Sequence, residues 1–164
     1  MNGPISVPQA TTVLGVPLIA MTGAPDSTLA KLLNALKQNG DPLVHCETKA
    51  YNKATFHLAL RIKCDPDHDG KKVLADVDTA LRAAFSFDAR DFGQIVSRSE
   101  IIATAQEVEG VLGVDLDRFY RGTTISLEQR LTPTGATTDA LGNGIAAELL
   151  LLDTGPFDYL EEMP

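Results

Sequence analysis

The chain has 164 residues, 44% of them apolar, and a net charge of −8 at neutral pH. That length suits one ordinary domain, or one domain plus an arm, with enough core to need no cross-links. The acidic balance and the scattered Lys and Arg residues lack the basic footprint that nucleic-acid binders and anionic-membrane binders use.

Residues 1–12 are polar, hold two prolines and are expected to be a flexible leader. Residues 13–21 (VLGVPLIAM) read as a buried strand with Pro17 at a bulge or an edge. That run lacks a basic start and falls short of the ~20 residues that span a bilayer, so the chain is expected to be cytoplasmic at synthesis. Asp26 or Ser27 then caps a helix with Leu29, Leu32, Leu33 and Leu36 on one stripe. Gly40 stands at a left-handed helix stop, and Asp41-Pro42 blocks continuation.

Segments 43–51 and 55–64 are expected to pair as a hairpin around Asn52-Lys53-Ala54. This register puts Phe56, Leu58, Leu60 and Ile62 on one face, and His57, Arg61 and Lys63 on the other. A helix follows Gly70 to about Phe85, with Leu74, Val77, Leu81 and Ala84 inward. Ser97-Arg98-Ser99-Glu100 is a capping-box pattern opening a helix that bears Ile101, Ala105 and Val108, and Gly110 stops it. A last strand alternates Val114, Leu116, Arg118 and Tyr120 with Asp115, Asp117 and Phe119.

The expected order is β-α-β-β-α-α-β, an α+β, ferredoxin-like split βαβ over residues 13–121. Its antiparallel sheet would carry helices on one face and leave the other face for a partner. Residues 122–164 are expected to be a loop and an apolar C-terminal arm. The stretch 131–144 is rich in Gly and Thr without a period, which suggests a flexible or partner-ordered loop. The apolar run 145–152 beyond it would dock on a neighbour or pack back as an extra strand. As a docking arm, residues 145–164 could be removed with the domain still folded.

Motifs that carry chemistry are sparse. Asp65-x-Asp67-x-Asp69-Gly70 copies the first half of a calcium loop, with Asp76 at its twelfth position. It departs from the motif in having Lys72 at position eight, a strand before it, and Asp rather than Glu at the end. The plainer reading is a strand-to-helix turn capped by Asp69. His45, His57 and His68 do not gather, and no metal-ligand spacing exists. In the expected hairpin Cys46 and Cys64 lie about 13 Å apart along the strand, beyond the ~7 Å reach of a disulfide. Asp115 and Asp117 share a strand face roughly 6.5 Å apart, a spacing open to acid–base work, but on an outer face with nothing to perturb them. Gly110, Gly113, Gly142 and Gly144 form no phosphate cradle and read as turns. Arg82, Arg90, Arg98 and Arg118, with Phe92, are candidates for interface anchoring against a plain surface role.

The run FSFDARDFGQIVSRSEIIATAQEVEGVLGVDLDRFY, residues 85–120, resembles the C-terminal region of baseplate J-like proteins of contractile phage tails and related injection particles. GAPDSTLAKLLNALKQNGDP is similar to that family's first helix, and KATFHLALRIKCDPDHDGKKVLADVDTALRAAFSF to its strand–turn–helix. AELLLLDTG is similar to its closing segment, so the resemblance runs over roughly 13–155. It implies a wedge subunit that pairs with itself or with other wedge subunits, with no catalytic residue, cofactor or metal. Family members are longer, and the chain corresponds to their C-terminal portion. The rival expectations are a small-molecule-binding regulatory module, which needs a pocket with convergent polar groups, and a small enzyme using Asp115 and Asp117 or the Asp65–Asp69 turn.

Overall fold

A computed structural model of the chain describes residues 28–41, 43 and 48–164. It is an α+β arrangement in two compact units, residues 1–48 and 49–164. The strand expected at 13–21, the cap at Asp26 or Ser27, and His45 and Cys46 lie outside the described residues.

In the first unit, helix α1 spans Thr28–Asn39, where the leucine stripe predicts it. Its end is set differently from the expectation. Gly40 is not left-handed; its N–H donates to the Leu36 carbonyl at 2.8 Å, and a Cβ there would sit 2.5 Å from that same oxygen. Glycine is required by space rather than by a positive φ.

The second unit is organised by strand β1, Asn52–Cys64. Alternate residues Phe56, Leu58, Leu60 and Ile62 are buried toward the helices, as the period-2 pattern predicts. Helix α2, Gly70–Ala84, packs Val73, Val77 and Leu81 into this core. Asp69 caps it by accepting from the Lys71 N–H. The chain then crosses a short 3₁₀ turn, Phe87–Ala89, and a two-residue strand β2, Val96–Ser97, to helix α3, Arg98–Gln106. The capping box at Ser97 and Glu100 forms in both directions. Ile101 and Ala105 are buried, and Gly110, at φ +87, turns the chain into strand β3, Val111–Arg121.

The pairing around β1 differs from the expected hairpin. Asn52, Lys53 and Ala54 are strand, not turn, and residues 48–51 do not form a strand. On one edge β1 pairs antiparallel with β3. On the other it pairs parallel, first with β7 (Glu148–Leu152) and then with β8 (Tyr159–Glu162). The sheet is therefore mixed. The parallel neighbours β7 and β8 depart from the antiparallel sheet expected, and the split βαβ order is not seen among the described strands.

Of the two expectations for 145–152, packing back as an extra strand is the one observed, so this part of 122–164 is built into the sheet. Leu149, Leu150, Leu151 and Leu152 are all buried, with Leu150 and Leu152 in the same core as Phe56 and Leu58. A run buried on both faces shows no alternation, as in parallel strands covered on both sides, although β7 stands at the end of the sheet order. The stretch expected to be flexible is also built. Arg130–Leu131 (β4) pairs with β2, and β5 (Thr137–Thr138) with β6 (Gly144–Ile145) closes a hairpin. At its tip the Asp139 carboxylate accepts from the N–H groups of Leu141 and Asn143, both at 2.8 Å, and from the Asn143 amide at 2.9 Å. Gly142, at φ +83, completes the turn.

Candidate functional site

The face of the sheet turned away from the helices carries a connected polar network around Arg61, and a bulge in β3 creates it. Ala59 faces Arg118 but Leu60 faces Leu116, so Asp117 is an extra residue on β3. The expected alternation breaks there. Phe119 turns into the core with Leu116, while Arg118 and Tyr120 join Asp115 and Asp117 on the outer face. Arg61 binds Asp117 through Nε at 2.7 Å and Nη2 at 2.8 Å, and Asp115 through Nη2 at 2.9 Å. Asp158, at the entry to β8, accepts from the Tyr120 hydroxyl at 2.9 Å and from Arg118 at 3.2 Å. Arg118 also lies over the Tyr159 ring, and His57 stacks on Tyr120.

These contacts decide what the acidic pair can do. The hydrogen bond from Arg61 holds the Asp117 carboxyl below its ordinary range, helped by a further bond from the Tyr159 phenol. Burial, and then Asp158, push the Tyr120 phenol up. An ionised, arginine-clamped carboxylate is a weak general acid or base near neutral pH. The other carboxyls with clear shifts, Asp139 and Glu148, are lowered as well. Glu148 sits at about 2, because Arg121 binds it in bidentate fashion at 2.6 and 3.0 Å and the Thr134 N–H donates to it at 2.8 Å.

A second feature is a cavity of about 490 Å³ at the start of β1, walled by Tyr51, Phe85, Phe87, Leu151 and Leu152 and lined also by Lys53, Arg82 and Asp153. Arg82 is fixed in place. It binds Asp78 at 2.9 Å and the carbonyls of Asp153 and Gly155 at 3.3 and 3.0 Å, and it covers the Phe157 ring. Beside the cavity Tyr51 touches both Phe87 and Phe92, each with ring centres 5.6 Å apart. The three rings stay 39%, 52% and 58% exposed. The sequence singled out Phe92 but not Tyr51 or Phe87. The cluster's members come from separate irregular stretches, and the residue types alone were the available signal.

The remaining candidates fall into structural roles. Asp65 accepts from the Asp67 N–H at 3.0 Å, and Asp69 is the helix cap. Among the described residues no three His, Cys, Asp or Glu side chains gather in a metal-binding group. His68 lies 3.8 Å from Asp65 and 3.9 Å from Glu109. Cys64 is a free thiol that burial pushes up, as expected of a packed, inert side chain. Arg90 is neither a surface residue nor an exposed anchor. It is buried, bound to Glu100 at 2.6 Å and to the Ile95 carbonyl at 2.8 Å, and it covers the Phe85 ring. Gly113 and Gly144 lie in β3 and β6 rather than in turns. No helix among the described residues is long and apolar enough to cross a membrane.

Compared with known proteins, the chain matches no family model and no curated protein.

Proposed function

We propose that this chain is a non-catalytic wedge component of a contractile-tail or injection-system baseplate, made in the cytoplasm and built into the particle through contacts with other wedge subunits or with itself. The ordered set of segments similar to baseplate J-like proteins supports the sequence side of the reading. The structural observation that carries it is the exposed cluster of Tyr51, Phe87 and Phe92. Aromatic side chains are favoured at the centres of contact surfaces, and rings already in mutual contact lose little freedom on docking. The lowered carboxyls Asp117, Asp139 and Glu148 each have a structural partner, which supports a role without acid–base chemistry. The reading needs no ferredoxin-like strand order; it needs only that this surface meets a neighbour.

The test is isolation of contractile particles from the native source, with mass spectrometry of the washed complex. The chain should appear at fixed stoichiometry with the hub and sheath proteins. A variant carrying Phe87→Ser and Phe92→Ser should drop out of the particles while keeping a cooperative melt. Absence of the chain from particles, or unchanged incorporation of the variant, refutes the assignment.

The cavity favours a second reading, a small-molecule-binding module, because its volume falls in the range of ligand sites. A metabolite that raises the melting temperature with increasing dose, and loses that effect with Phe87→Ser, would support it instead.

A further inference from the structure

We propose that two copies of this chain pair by reciprocal insertion, the Leu141 hairpin tip of each entering the aromatic cavity of the other. The proposal rests on the assembly reading above and names a partner for that surface.

The knob is unusual for a surface turn. Leu141 is 87% exposed, at the tip of the β5–β6 hairpin. Its backbone does not wander: Asp139 binds the N–H groups of Leu141 and Asn143, and Gly142 N–H closes on the Asp139 carbonyl at 3.0 Å. A preorganised tip that holds an aliphatic side chain in water loses little entropy when it docks. The cavity offers the matching surface. Its walls are aromatic and aliphatic, and its volume of about 490 Å³ has room for a leucine side chain with part of its turn.

Charge supports the match. Each chain carries −8, so pairing without local compensation is opposed. Asp139 stands two residues from Leu141, held ionised by its bonds from Asn143. Lys53 lines the cavity it would approach, as does Arg82, whose charge is already shared with Asp78. The acidic lining residue, Asp153, has its carboxylate turned onto the Gly155 N–H at 2.8 Å.

Placement supports it too. The hairpin stem is tied to the start of β1: Lys49 donates to the Gly144 carbonyl, and the Asn52 N–H donates to Ala147 at 2.9 Å. Tyr51 and Lys53, on the cavity wall, belong to the same short stretch. Knob and cavity thus share one end of the unit. A two-fold axis through that end sets each knob opposite the other copy's cavity and closes the assembly at two.

The experiment is sedimentation velocity on the full chain over a concentration series. Wild type should show a concentration-dependent dimer. Leu141→Asp and Phe87→Asp should each raise the dissociation constant by about tenfold or more, the loss expected of a central contact residue. Leu141 is 87% exposed, so the Leu141→Asp melt should be unchanged; Phe87 is half-exposed and touches the Tyr51 ring, so the Phe87→Asp melt should fall slightly and stay cooperative. Mixing the two variants is decisive. The Leu141→Asp chain keeps its cavity and the Phe87→Asp chain keeps its knob, so the mixture recovers one of the two insertions. It should dimerise more tightly than either variant alone. A wild type that stays monomeric up to its solubility limit, a dimer indifferent to either substitution, or a mixture no better than its parts overturns the pairing. A monomer that still enters native particles removes the pairing and leaves the assembly reading; a dimer absent from every particle does the reverse.

Discussion

Removal of residues 145–164 should unfold the second unit. This deletion takes away β7 and β8, and with them the entire parallel edge of β1. Four buried leucines, Leu149 to Leu152, are lost. At about 1.5–3 kcal/mol each, their burial contributes roughly 6–12 kcal/mol, comparable to the whole stability of a domain at about 5–15 kcal/mol. The loss also strips the ladder bonds from residues 52–56 of β1 and uncovers Phe56 and Leu58. A point version separates packing from chain length. Leu150→Ala leaves the strand in place and should cost about 2–5 kcal/mol, since the core closes only partly around the space. At about 4 °C per kcal/mol this lowers the melting temperature by roughly 8–20 °C. Far- and near-ultraviolet circular dichroism with thermal melts reads both. A truncated chain that keeps near-ultraviolet signal and melts cooperatively at the parent temperature would refute the reasoning and restore the arm expected from sequence.

Arg90→Ala should cost about 1–3 kcal/mol, because it removes a buried side chain that covers Phe85 and holds Glu100 and the Ile95 carbonyl; Arg90→Lys should recover little, lacking the planar fork, and urea unfolding reads both. Ser97→Ala breaks the capping box and should cost about 1 kcal/mol in the same assay. Gly110→Ala meets two penalties, a φ of +87 and a Cβ 2.8 Å from Val73 and 2.9 Å from the His68 ring, so it should lose more than the roughly 1–2 kcal/mol of the backbone strain alone. Stability should also fall in acid. The folded pKa of Glu148, about 2, lies below its ordinary 4.5, so its contribution is complete above pH 4.5 and is lost as pH falls toward 2. Arg121→Gln should flatten that part of the stability–pH curve; an unchanged slope would show that the Arg121 pair does not set it.

Local rules were legible in the sequence wherever one element decides its own form. The helix stripes, the Asp69 cap, the Ser97–Glu100 box and the inward face of β1 all depend on residues within a few positions of one another, whereas α3 ends at Gln106, short of the stop expected at Gly110. Long-range partners were not legible. Asn52-Lys53-Ala54 has turn-like composition, but pairing with Glu148–Leu150 nearly a hundred residues later holds it extended. A run of four leucines has no period, so nothing local says which strand it meets. The bulge at Asp117 is a one-residue event that inverts every later facing, so Phe119, placed by simple alternation with Asp115 and Asp117, turns into the core instead. The site suffered most, because Tyr51, Phe87, Phe92 and Leu141 come from stretches where periodicity is silent.

The way the sheet is finished bears on how contacts with a neighbour would be made. Strand β3 is long and lies at the edge of the sheet, the arrangement that invites another chain to add a strand. It is interrupted by register shifts opposite Ala59/Leu60 and Lys63/Cys64, and it carries Asp115, Asp117 and Arg118 along its outer face. The far edge ends in the short β8, which bears Glu161 and Glu162. Bulges, charges and short length are the devices that stop edge-to-edge pairing. Backbone addition is therefore opposed along β3 and β8, and on β7 the outer backbone is already bonded to Phe85 and Gly93, while apolar side chains stand exposed at the end where β1 begins. An assembly built by this unit should consequently depend on Phe87, Phe92 and Leu141 and be insensitive to a proline placed at Leu112, on the exposed start of the β3 edge. Strand addition along β3 would reverse that order of sensitivity.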